Sequence, residues 1–226
     1  MEQRGEAEVF ERIARTRRST RAFVERPLPL DEVRELLALA ATAPSNSNTQ
    51  PWQVHVVTGA AQEALSERLL AAFDAGVLGP PDHFPEPLPE APAARQQDFA
   101  ARYYASLRIE RGDTAARTRQ SRRNLVFFGA PVGLVLTIDE RLRSHSWLDA
   151  GLFLQTLLLG AAARGWAACP QVTFARFHEV IARQLRFCPH ERTVCGVSLG
   201  WPDPQAPVNR FELGRTPPTD FARFHA

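Results

Sequence analysis

Lysine is missing altogether from the 226-residue sequence, and all 27 basic positions are arginine, the kind of bias a GC-rich genome produces; it carries no functional weight. Cysteine is scarce. Cys169, Cys188 and Cys195 are an odd number with no C-x-x-C spacing, which excludes a disulfide framework and a zinc knuckle and fits a reducing compartment. The six histidines (His55, His83, His145, His178, His190 and His225) lack metal-ligand spacing, and no Ser/His/Asp or Cys/His motif is recognisable, so no metal site and no catalytic side chain is assigned. The first residues, MEQRGEAEVFERIARTRR, are charged where a secretory signal has its apolar core, and the longest apolar run, 151–163, has only the length of a core helix. The expectation is a cytoplasmic protein without a membrane partner. A net charge of +2 is too small a surplus for a nucleic-acid binder.

What is present describes one folded unit. At roughly 150 residues per domain, 226 residues allow one large domain over 1–226 or a compact domain with extensions, and exclude a two-enzyme fusion. With 44% apolar and 23% charged residues, the chain has the composition of a packed globular protein. Helical spacing of Val9, Phe10 and Ile13 predicts a surface helix over 6–16 with one buried stripe, and Val33, Leu36, Leu37 and Ala40 predict another over 31–43. The valine-rich run from Trp52 reads as a strand and 60–75 as a helix. Six prolines between Gly76 and Pro92 argue against helix or central strand there, so a surface excursion is expected at about 76–95, with Phe99, Tyr103 and Tyr104 as aromatic surface behind it. A central strand at 132–138 precedes a core helix at 146–164, opened by a capping-box-like pair, Ser146 and Asp149. Strands at 166–169 and 193–201 flank a helix at 174–186. Trp147, Trp166 and Trp201 read as core anchors. The tail over 202–226 carries Phe211, Phe221 and Phe224, which must lie against its own body or a neighbouring subunit.

Two segments stand out chemically. Residues 12–26 hold six arginines against one acid, Glu25, so this stretch carries +5 and the remainder, against a total of +2, carries −3. Guanidinium forks around the Ser19 hydroxyl suit a phosphate, while a solvated helix end with ion pairs would give the same charge run. The segment APSNSNTQPW, 43–52, packs Ser45, Asn46, Ser47, Asn48 and Gln50 between a helix and a strand. Short donors and acceptors of this kind can read the edge of a heterocycle, and they also favour a plain turn.

Together the two segments resemble the nitroreductase family of FMN-dependent flavoproteins. The match is Arg17-Arg18-Ser19-Thr20-Arg21-Ala22-Phe23 with Ala43 through Trp52, and it continues through NLVFFGAPVGLVL (124–136), SWLDAGLFLQTLLLGAAARGWAACPQ (146–171), VCGVSLGWPDPQAPVN (194–209) and Arg215-Thr216-Pro217. The resemblance implies an α+β fold, a mostly antiparallel sheet flanked by helices, in an intertwined homodimer whose partner is embraced by the tail. It implies that Arg17, Arg18, Ser19 and Arg21 hold the FMN phosphate and ribityl chain, with Arg215 closing on the phosphate. Pro44, Ser45, Asn46 and Asn48 would reach the flavin from the partner subunit, and Pro170, Gln171 and Val172 would line the ring near N5. Relatives often carry a second basic residue two positions before the closing arginine, where this chain has Leu213. Asn124 and Arg122 read as helix solvation, and Cys169 beside the flavin wall as buried packing.

The implied activity is electron transfer from NAD(P)H through FMN to a nitroaromatic or quinone-like small molecule by alternating use of one cavity. Reductive dehalogenation, heterocycle dehydrogenation and flavin binding without turnover are the competing readings.

Overall fold

The computed structural model describes residues 2–79 and 87–225. In chain order these form helices α1 (Glu2–Thr16) and α2 (Leu30–Ala40), strand β1 (Trp52–Val57), helices α3 (Gly59–Asp74), α4 (Glu90–Ser106) and α5 (Thr114–Leu125), strand β2 (Val132–Asp139), helix α6 (Arg143–Ala163), strand β3 (Ala167–Gln171), helix α7 (His178–Leu185), strand β4 (Glu191–Gly200) and the short helix α8 (Pro218–Phe221). The strands lie in the order β1-β2-β4-β3, each neighbouring pair antiparallel, which is the expected α+β architecture with β2 in the interior.

Alternation along the strands feeds two apolar layers. Leu134, Leu136 and Ile138 of β2 and Val197 and Leu199 of β4 pack with Leu36 of α2 and Phe153 and Leu157 of α6. On the opposite face Val135 joins Val57, Leu65, Leu69, Phe127, Phe174 and Ile181, from β1, α3, α7 and the turns before β2 and after β3. Covering both faces is why 132–138 reads as an apolar stretch, broken only by Thr137, whose hydroxyl finds the Glu191 carboxylate. Two strand glycines make room for the largest rings. A Cβ on Gly133 would lie 2.6 Å from the Phe127 ring, and one on Gly196 would lie 2.7 Å from Phe174.

Several expectations need correction. Helix α4 starts at Glu90, so the excursion is shorter than 76–95, and Pro92 sits in the helix's first turn, where its missing N–H has no intrahelical acceptor to lose. Residues 80–86 of the excursion lie outside the described residues. Helix α6 begins at Arg143, and the capping box at Ser146 does not form: the Ser146 hydroxyl donates to the Arg143 carbonyl at 2.7 Å, while Asp149 serves another loop. Together with the preceding turn, 140–163 is long and apolar enough to cross a membrane, but Phe153, Leu157 and Ala161 are buried in the core. The stripe on α1 is not covered within the chain, since Val9 and Phe10 are 47% and 59% exposed. Periodicity identifies an apolar face but not what lies against it. Of the three tryptophans expected as core anchors, Trp147 is 40% exposed, Trp166 is buried, and Trp201 is partly buried edge to face with Trp166 at 6.3 Å. In the tail Phe211 packs on the chain's own Phe99 and Tyr103, and Phe221 and Phe224 face outward. The helix expected over 174–186 is a 3-10 turn through Phe177 followed by α7.

Where β1, β2 and β4 converge, the Glu191 carboxylate accepts from the Thr137 hydroxyl at 2.5 Å and the Cys188 N–H at 3.0 Å, with His55 Nε2 at 2.5 Å. Burial alone would raise its pKa, but these partners outweigh burial and hold it below the ordinary 4.5. His178, bonded to Thr193 at 3.1 Å, is pushed below its ordinary 6.5, first by burial and then by Arg192. Both groups bind protons less readily folded than unfolded. Their contribution is therefore complete above those ordinary values and is lost as pH falls through the depressed folded ones. Melting temperature should hold between pH 7 and 8, decline below about 6.5 and decline again below about 4.5, where Asp139, held at about 2 first by its hydrogen bond to Arg141, contributes as well, and Glu191→Gln should reduce the second stage. Thermal melts across pH 3–8 measure this.

Candidate active site

After α1 the chain runs extended beside the sheet. Ser19 pairs with Ala168, the Thr20 N–H donates to the Ala168 carbonyl at 3.1 Å, and the Val24 N–H donates to Trp201 at 3.1 Å. In an extended segment successive side chains alternate, so Thr20 and Ala22 are buried while Arg17, Ser19 and Arg21 share the opposite face. Asn209 staples this strap from the tail. Its Oδ1 accepts from the Arg21 N–H at 2.8 Å, its Nδ2 donates to the Ala22 and Asp203 carbonyls at 2.8 and 2.9 Å, and its own carbonyl accepts from Arg18 at 3.2 Å.

Between strap and tail opens a cavity of about 590 Å³ lined by Arg17, Arg18, Ser19, Arg21 and Arg215 among others. The structure thus brings together the whole basic group expected from the sequence. Glu212 is the acid among its lining residues, and Leu213 also lines it. Among the described residues none of Arg17, Arg18, Arg21 and Arg215 is ion-paired with a carboxylate. The Arg17 Nε is buried without a hydrogen-bond partner among the described residues. Among the described residues Arg215 donates to the nearby Leu213 and Gly214 carbonyls, at 3.2 and 3.0 Å. Clustered guanidinium groups without counter-ions are suited to an external anion.

The strap pairing sets β3 beside this site. Gln171, at the end of β3, is buried with its side chain fully engaged: Nε2 donates to the Asn124 carbonyl at 2.6 Å and Oδ1 at 2.8 Å, and Oε1 accepts from the Ser198 hydroxyl at 2.7 Å. It can therefore offer a ligand only its backbone. Asn124 is not a solvated helix residue but the clamp on Gln171, a role that a 47-residue separation concealed. Pro170 is half-buried and Val172 exposed, leaving the end of this strand open at its surface. The neighbouring Cys169 thiol is pushed up to about 11, by burial against the smaller opposing effects of Arg21 and Ser19, so it stays protonated and inert as packing.

Pro44, Ser45, Asn46 and Asn48 are not among the residues lining the arginine cavity of the same chain. They form a surface loop in which Ser47, Asn48 and Gln50 adopt φ of +49°, +57° and +46°, on either side of right-handed Thr49; of these, Asn48 is the residue type that tolerates the left-handed region best. Buried Asp149 of α6 fixes the loop, its two oxygens each 3.2 Å from the Asn46 N–H. The loop therefore rides on α6 beside the outward-facing Trp147, Leu148 and Leu152.

The sequence profile of the Nitroreductase family matches residues 14–201, from the end of α1 through β4. The chain belongs to the nitroreductase family. Among its relatives a 4-nitrobenzoate reductase of Pseudomonas putida is 43% identical over 215 residues, covering 95% of each chain. A nitrobenzene nitroreductase of Ectopseudomonas oleovorans is 37% identical, covering 94% of this chain and 95% of that one. In solved structures, the FMN-dependent nitroreductase NfnB from Mycobacterium smegmatis in complex with NADPH superposes with a TM-score of 0.92 at 32% identity, over 97% of this chain and 99% of that chain. This nitroreductase thus has the family fold over nearly its whole length, including α4.

Proposed function

We propose that this nitroreductase binds FMN in the arginine cavity and reduces nitroaromatic or quinone-like acceptors with electrons from NAD(P)H. The observation that carries the reading is the buried Arg17 Nε, without a partner among the described residues, within a set of four arginines that have no carboxylate partner among them and line one cavity with Ser19. That donor set fits a phosphate monoester, and a cavity of about 590 Å³ lies within the range of nucleotide-sized sites. Arg17, Arg18, Ser19, Arg21 and Arg215 would hold phosphate and ribityl chain. The backbone at Pro170, Gln171 and Val172 would support the ring, with Gln171 locked by Asn124 and Ser198. FMN held there would supply two-electron chemistry between a nicotinamide donor and the acceptor. The chain's own part is to seat the anion, keep the β3 end rigid and leave a face open beside exposed Val172.

A homodimer completes the site in this reading. Exposure of Val9, Phe10, Leu148 and Leu152 and of the Pro44–Asn48 loop supports a second copy placing that loop at the flavin. Three free cysteines support the cytoplasm as the compartment.

Deflavinated protein is expected to be inactive and to regain nitrobenzene-dependent NADPH oxidation on addition of FMN, with parallel double-reciprocal lines from donor and acceptor sharing one face in turn. Bound FMN that NADPH and NADH leave oxidised would contradict the activity.

A further inference from the structure

Arg21 of the cavity has little polar anchoring of its own. Its guanidinium donates to the Ser19 carbonyl at 3.2 Å and meets no carboxylate among the described residues. It rests instead on α4, with its central carbon 5.2 Å from the centroids of both Phe99 and Tyr103. These two rings stack on each other at 5.5 Å and 14°, and the tail's Phe211 packs against both at about 6 Å. Tyr103 is itself fixed, its buried hydroxyl accepting from Gln120 Nε2 of α5 at 2.7 Å. Burial raises the Tyr103 pKa, so the ring is neutral.

We propose that Phe99 and Tyr103 are positioning residues that hold Arg21 toward the cavity, so that α4 sets how tightly the anionic cofactor is held. Neither ring is among the residues lining the cavity, and their effect passes through the guanidinium. An aromatic face within about 6 Å attracts a guanidinium without consuming its charge and leaves its N–H donors for another partner. A carboxylate in the same place would neutralise it. Arginine also carries considerable rotamer freedom, and a packed support removes the cost of ordering it when the anion arrives.

The proposal rests on FMN binding in this cavity, and its test separates the two. FMN is titrated by flavin fluorescence into deflavinated wild type, Phe99→Leu, Arg21→Ala and the double variant. Phe99→Leu keeps an apolar side chain but removes the π face. It is expected to raise the dissociation constant about five- to thirtyfold in the wild-type background and to change nothing further when Arg21 is already alanine. Phe99→Trp is expected to restore wild-type affinity. If Phe99→Leu does not fold, Phe99→Met carries the same cycle. Unchanged affinity in Phe99→Leu, or losses that multiply in the double variant, would overturn the clamp while leaving the cofactor reading intact. A wild-type protein that takes up no FMN would overturn both.

Discussion

Arg17→Ala is expected to weaken FMN binding about ten- to a hundredfold while leaving the fold intact, because a hydrogen bond to a charged group contributes about 1.5–3 kcal/mol. Arg17 begins the extended strap and shares a face with Ser19 and Arg21, and its Nε has no protein partner to lose. Removing the side chain therefore leaves no orphaned carboxylate behind. Arg17→Lys should recover part of the loss, since an ammonium keeps the charge but cannot present a planar fork. Arg215→Ala should cost less. That side chain is exposed, and its bonds are to neighbouring tail carbonyls. Fluorescence titration of the deflavinated proteins gives each constant, and an Arg17→Ala protein with wild-type affinity would place the phosphate elsewhere.

Phe174→Ala is expected to destabilise the fold by about 3–5 kcal/mol, the usual cost of emptying a buried phenylalanine site. The ring is fully buried, 4.9 Å from Phe127, and stands over Gly196, whose missing side chain makes its space. Collapse is limited because the floor is the backbone of β4. Chemical denaturation at pH 7 should show the loss as a lower midpoint with an unchanged slope. A loss under about 1 kcal/mol would mean that the layer repacks around the void. Phe174 belongs to the turn that follows Pro170–Val172, so the same variant should also loosen the end of β3.

The central strand was legible because a sheet covered on both faces needs apolar residues on both, and Leu134, Val135, Leu136 and Ile138 supply them. Helix α4 was hidden by its prolines: Pro92 argues against a helix interior but is harmless in a first turn. The faces of α1 and α6 were recognisable as apolar, yet hydrophobic spacing says nothing of what covers Phe10 or Leu148. At the site, the arginines and Ser19 announced themselves by local charge density. Their supports did not. Asn209 meets Arg21 across 188 residues, Asp149 meets Asn46 across 103, and single polar residues separated in this way leave no periodic signal.

The central claim is that the arginine cavity recognises a phosphate on a flavin. Parallel titrations of deflavinated protein with FMN and with riboflavin, which differ by that phosphate alone, test it most directly. FMN is expected to bind at least about a hundredfold more tightly, with the advantage shrinking in Arg17→Ala. Equal affinities for the two flavins would contradict it.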